Sequence, residues 1–347
     1  MTLYHALYMS RVWEKFTVDS QPPYQEKIFT GAEDVPIFAW VAIPENPRGT
    51  MIGTYGIVGS LADQWFLQVM GRKAFAQGYA VILFDSRSHG KTAELSPTLG
   101  SDGLYEGEDF VRIAAEAKKM GCPGKFWFTG YSLGGDLALW GVKAGQDLSK
   151  AARRLGLRES DIGGGAVICP NLDSKRSLPY LMNAPLGRYL EKSVAKKLKK
   201  LAWESHSYHP HDLDPAAIER ADSIWGFDNE LVIGRLGFAT VEDYYDATCP
   251  LVHVLPELEK PTLIIYAEDD PMFAPALVPE LKAISAENKA IDLISTQFGG
   301  HVAYISSKTS EKQAGDRDCW WAWNRILEWC DRQTAVNLKG RGVGCRV

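Results

Sequence analysis

Ser132 stands between two glycines in Gly130-Tyr131-Ser132-Leu133-Gly134. The apolar run 125–129 precedes it, and Asp136-Leu137-Ala138-Leu139-Trp140-Gly141-Val142 follows. A strand, a Gly-x-Ser-x-Gly turn and a helix in succession form the arrangement that lifts a nucleophilic serine clear of a sheet. So sharp a turn holds the serine at positive φ, where side chains two residues away on either side would collide. Gly130 and Gly134 remove those collisions. The helix behind the serine presents its N-terminus to developing negative charge.

A serine hydroxyl attacks only if a base takes its proton, and histidine has the pKa for that task. Of the seven histidines, His301 is the candidate, in Phe298-Gly299-Gly300-His301-Val302 after the last predicted strand. His253 lies between valines and reads as structural, and His5 lies in a segment without a chemical signature. His206, His209 and His211, near Asp212 and Asp214, read as a polar loop, since their spacing fits no metal template. His209 and Asp214 also match a His-x4-Asp acyltransferase pattern, by chance in so polar a stretch. His89, in Asp85-Ser86-Arg87-Ser88-His89-Gly90, reads as part of a rigid turn in which Asp85 and Arg87 bond backbone or one another.

The imidazole needs a carboxylate to hold it. Ala267-Glu268-Asp269-Asp270-Pro271 ends a buried strand and offers Asp270 as the favoured choice, with Asp269 as the alternative. The chain order serine, aspartate, histidine differs from both familiar serine-protease orders. For the oxyanion, the N–H of Leu133 follows the nucleophile. A second N–H, that of Ile57, comes from the loop Gly56-Ile57-Val58-Gly59-Ser60.

These residues need a sheet whose strands all end on one side. Apolar strands are predicted over 37–43, 50–55, 79–84, 125–129, 165–169, 261–267 and 290–296, with helices over 62–77, 105–120, 276–286 and 316–334. This is the alternation of a mostly parallel, helix-covered sheet, an α/β fold. Residues 171–255 break the pattern with helical segments only. The expected organisation is a core of 25–170 and 256–336, a helical cap insertion at 171–255, an N-terminal segment 1–24 and a loose tail 337–347. The cap lies where ligands bind in such sheets, with Trp203, Trp225 and Phe227 as candidate lining. Its helix 186–203 carries an apolar stripe with lysines between, read as packed with the lysines in water.

Composition narrows the class. The 46% hydrophobic and 23% charged content is that of a globular chain. A net charge of −5, without a basic stripe, argues against nucleic-acid partners. No apolar run reaches the ~20 residues of a spanning helix, and residues 1–18 have no signal-peptide core. The six scattered cysteines read as free thiols in a reducing, cytoplasmic setting. Trp320, Trp321, Trp323 and Trp329 read as a packing face.

With these residues in hand, the chain resembles the α/β-hydrolase superfamily. Within it, the chain is similar to the bacterial YheT-type and plant EMB8-like hydrolases. The resemblance is carried by Gly56 to Ser60, Gly130 to Gly135, Asp243-Tyr244-Tyr245, Pro261 to Ala267 with Asp269-Asp270-Pro271, and Gly299-Gly300-His301. Two stretches depart from that family: Tyr55-Gly56 stands where His-Gly is usual, and Arg87-Ser88-His89-Gly90 where an Arg-Gly-Cys-Gly-like run is. The resemblance implies ester hydrolysis, often of lipid-like acyl esters, with Ser132, Asp270 and His301 in the triad roles. The expected mechanism runs through an acyl-enzyme on a small-molecule ester, without cofactor or metal. Acyl transfer and thioester hydrolysis use the same site, and a non-catalytic ligand-binding protein is the remaining alternative.

Overall fold

The computed structural model describes residues 2–341, with side chains through 334. One eight-stranded sheet organises it, in the order β1-β2-β4-β3-β5-β6-β7-β8. The strands are β1 Gln25–Thr30, β2 Pro36–Ala42, β3 Thr50–Thr54, β4 Ala80–Phe84, β5 Phe126–Tyr131, β6 Ile162–Ile168, β7 Thr262–Ala267 and β8 Ile291–Thr296. From β4 across to β8 all pairings are parallel, while β1 and β2 close one edge antiparallel. Strands β3 to β7 are buried along their whole length, which explains their unbroken apolar runs.

Alternation along β5 shows how the faces are covered. Phe128 meets Phe110 of the helix Glu106–Lys119, while its neighbour Trp127 meets Trp329 of the helix Trp321–Arg341. Successive strand residues point to opposite faces, so these helices lie on opposite sides of the sheet. Phe66 of the helix Trp65–Ala76 joins the second side by packing on Trp320 and Trp323. The tryptophan cluster is therefore a packing face.

The sequence reading differs from the structure at both ends. Strand β1 has no counterpart among the predicted strands: it is an exposed edge strand in which Phe29 alone is buried, too weak a pattern to read. The last helix runs through Arg341, so the start of the expected loose tail is helical. Residues 342–347, with Cys345, lie outside the described residues. The remaining five cysteines are free and buried.

Between β6 and β7 the chain forms helices, among them Ser174–Asn183, Pro185–Tyr208 and Val241–Ala247. They enclose a second apolar cluster that includes Leu198, Ala202, Ile218, Leu231 and Val241. Along Pro185–Tyr208 the stripe Ala195, Leu198 and Leu201 is buried while Lys192, Lys196 and Lys197 are exposed.

Candidate active site

Ser132 leaves β5 at φ 55° and ψ −128°, so the expected positive φ is present. The glycines beside it are required by close approach. A Cβ on Gly130 would sit 2.2 Å from the Gly134 carbonyl oxygen, and one on Gly134 would sit 2.3 Å from the Tyr55 carbonyl oxygen. The Ser132 N–H donates to the Ile168 carbonyl of the neighbouring strand at 3.0 Å, fixing the turn to the sheet.

His301 comes to this serine from the loop after β8, with Nε2 2.9 Å from Ser132 Oγ. On its far side Nδ1 lies 2.8 Å from Asp270 Oδ2. Asp270 follows β7 and is nearly fully buried. Its other oxygen accepts the Met272 N–H at 2.8 Å, so the carboxylate cannot rotate away. Asp269 turns elsewhere and accepts the Gly300 N–H at 2.7 Å. The geometry thus joins Asp270, the favoured choice, to the imidazole and gives Asp269 to the loop. The Phe273 ring meets His301 edge-on at 5.2 Å. The His301 N–H donates to Thr2 Oγ1 at 2.8 Å, a contact with the N-terminal segment that no sequence signal announced.

Gly56 approaches the serine closely: a Cβ there would lie 3.3 Å from Ser132 Cβ. The loop it begins is pinned from below. Asp85 accepts the Tyr55 hydroxyl at 2.5 Å, the Leu61 N–H at 2.8 Å and the Lys91 N–H at 2.9 Å. Burial raises the pKa of the Asp85 carboxyl despite these donors. His89 Nε2 lies 2.7 Å from the Ile57 carbonyl oxygen. Arg87 does not bond Asp85, an option the turn had left open. It forms a buried ion pair with Asp109 at 2.8 Å and donates to the Ala32 carbonyl at 2.8 Å, because β4 ends over the helix that carries Asp109.

A cavity opens above the serine, and Ser132, Ile57 and Leu133 line it. Its wall includes Leu178, Leu181, Val194, Leu198 and Phe227 from the helical segment, with Met272 and Phe273 opposite. Of the three aromatics expected there, Phe227 is in the wall. Trp203 instead packs on the second apolar cluster, and Trp225 is exposed. Asp102, Asp228, Tyr244 and Tyr245 also line the cavity, and sequence reasoning assigned none of them a role. Burial and the neighbouring Glu106 push the Asp102 carboxyl up to about 7. Burial and Asp102 raise the pKa of Asp228 well above the carboxylate range. His206 and His209 take no part: their rings bond the Leu213 and Ala93 carbonyls.

The parallel sheet and the serine turn at its edge are those of an α/β-hydrolase. Residues 56–308 match the alpha/beta hydrolase family, and the chain belongs to it. It is 52% identical over 339 residues to the protein named "Putative esterase slr0264" of Synechocystis sp., covering 96% of this chain and 92% of that one. It is 29% identical over 204 residues to "Putative esterase YheT" of Escherichia coli, covering 58% of this chain and 53% of that one. Among solved structures, the Pyrococcus furiosus esterase Pf2001 superposes with a TM-score of 0.52 at 18% identity over 90% of this chain and 91% of that one; at that identity the likeness is one of fold. Among the described residues no helix is long and apolar enough to cross a membrane.

Proposed function

We propose that the protein hydrolyses carboxylic esters through an acyl-enzyme on Ser132. The observation that carries this reading is the hydrogen-bonded chain Ser132–His301–Asp270, built on a serine held at strained positive φ. His301 Nε2 takes the hydroxyl proton as Oγ attacks the carbonyl, and Asp270 steadies the imidazolium that forms. The same proton passes to the departing alcohol. Water then repeats the sequence and frees the acid. The N–H groups of Ile57 and Leu133 hold the oxyanion, a contribution of about 10²–10³ in rate for each such donor. Residues 171–255 act as a cap on a core made of 25–170 and 256–336. Its apolar wall favours esters with an extended hydrocarbon chain, of the lipid-like kind, since each buried methylene contributes up to about 0.8 kcal/mol. Two measurements test the reading: labelling by a fluorophosphonate, and turnover of p-nitrophenyl esters of graded chain length. Wild type is expected to label at Ser132 and turn over, and Ser132→Ala to do neither. Ester turnover unchanged in Ser132→Ala sinks the mechanism.

A further inference from the structure

One corner of the cavity is chemically unlike the rest. Asp102 and Asp228 line it with Tyr244 and Tyr245. The Tyr245 hydroxyl donates to Asp228 Oδ2 at 2.5 Å, and Tyr244 stands beside Asp102. The two tyrosine rings lie 5.6 Å apart, and the two carboxylates act electrostatically on one another, so the four side chains form one group. Asp136 is fully buried, and burial with the nearby Asp102 and Glu106 raises its pKa well above the carboxylate range. Neither Asp136 oxygen has a well-formed hydrogen bond; the Trp140 indole N–H merely leans toward it. Glu106 is occupied with the Ser101 hydroxyl and the N–H groups of Ser101 and Gly103. No lysine or arginine is among the residues lining this cavity.

Asp102 and Asp228 are half-buried and act on one another, so holding negative charge on both is unfavourable unless positive charge joins them. The burial-raised affinity of both for protons reflects that unmet demand. Among the described residues no three acidic, histidine or cysteine side chains converge as a metal ion needs. An organic ammonium asks less: carboxylates and aromatic faces at one end of an otherwise apolar chamber.

We propose that this corner receives an ammonium group carried by the ester substrate, and that Asp102 and Asp228 select for it. The proposal rests on the serine-ester reading for its catalytic consequence, but the binding it describes is independent of turnover. Hydrolysis should therefore favour a cationic ester over its uncharged carbon isostere and reject an anionic one. Displacing the shared protons, a bound ammonium is taken up with proton release.

The test compares butyrylcholine with 3,3-dimethylbutyl butyrate by acid release. It also compares hexyltrimethylammonium with hexan-1-ol by thermal shift on the wild-type protein. The expected results are a kcat/KM ratio of about tenfold or more for the cation and a saturable rise in melting temperature with the ammonium alone. Both effects shrink in Asp228→Asn and Asp102→Asn, each read as a ratio within the variant. Equal response to charged and neutral partners, or response to neither, overturns the proposal, and the wild-type arms decide it if a variant does not fold. The two readings separate cleanly. An ammonium that binds a protein which never labels at Ser132 leaves the subsite standing and the esterase reading fallen. Labelling and p-nitrophenyl ester turnover without ammonium preference do the reverse.

Discussion

Asp269 and Asp270 are adjacent in the chain and divide one loop between them. Asp270 Oδ2 holds the His301 ring at 2.8 Å, whereas Asp269 Oδ1 holds the backbone before it, through the Gly300 N–H at 2.7 Å. One carboxylate orients the imidazole and the other the turn that delivers it.

The two substitutions should therefore be unequal. In Asp270→Asn the amide oxygen keeps the Met272 N–H, the NH2 group donates to His301 Nδ1 and favours the wrong tautomer, and kcat is expected to fall about 10⁴-fold. In Asp269→Ala a backbone donor loses its acceptor, worth roughly 1–3 kcal/mol. Its kinetic equivalent is about a hundredfold at most. Steady-state kinetics on both variants checks the ranking, and an equal loss contradicts the division of labour.

The glycines of the turn make a prediction about folding rather than rate. A methyl on Gly130 or Gly134 would overlap main-chain oxygens that belong to the same turn and to the end of β3, and backbone cannot swing aside as a side chain can. Gly130→Ala and Gly134→Ala are each expected to lose about 4 kcal/mol or more, in the range of severe single substitutions. Denaturant titration measures it, and a loss under 1 kcal/mol would show that the turn relaxes.

Why Ser132, Asp270 and His301 are legible in the sequence is now plain. Ser132 and Asp270 sit just past the buried parallel strands β5 and β7, which announce themselves as continuous apolar runs, and His301 follows β8, the partly exposed parallel strand at the sheet edge, in a glycine-rich turn. Ile57 and Leu133 follow the same logic. Nothing comparable marks Asp102 or Asp228. One lies in the loop before the helix Glu106–Lys119 and the other among the short helical turns between β6 and β7. Only tertiary packing brings them together. Thr2 reaches the His301 backbone from the other end of the chain, a contact with no periodic signal. Strand β1 escapes for a different reason: as an exposed edge it lacks the apolar alternation that reveals a strand.

The Arg87–Asp109 pair shows how costly a half-removed buried charge should be. Their side chains are 0% and 1% exposed, and Asp109 also accepts the Ala32 N–H at 2.7 Å. Arg87→Ala leaves a carboxylate without its cation, a loss of about 3–5 kcal/mol, and Asp109→Ala does the same to the guanidinium. The coupling in a double-mutant cycle should be large, since either single change already strands the partner. Additive losses would mean that the pair does not act as a unit.

His5 ties the pH dependence of stability to the active-site loop. Its ring is buried against Trp65 and Phe66, with centroids 4.6 and 4.9 Å away. Burial, with a smaller effect from His301, lowers its pKa from 6.5 to about 3. The folded protein thus takes up a proton at His5 less readily than the unfolded chain. The stabilisation is fully present above pH 6.5 and is lost as pH falls toward 3, with an upper bound of a few kcal/mol at about 1.4 kcal/mol per unit. Because Thr2 lies three residues away and holds the His301 N–H, acid should loosen this contact before the sheet itself opens. The protection of the His301 amide against hydrogen exchange, corrected for the intrinsic slowing of exchange in acid, is expected to fall between pH 7 and pH 5. His5→Phe, which fills the same aromatic site without a titrating group, should flatten both that loss of protection and the fall in melting temperature. An unaltered acid profile in His5→Phe would assign the effect to other groups.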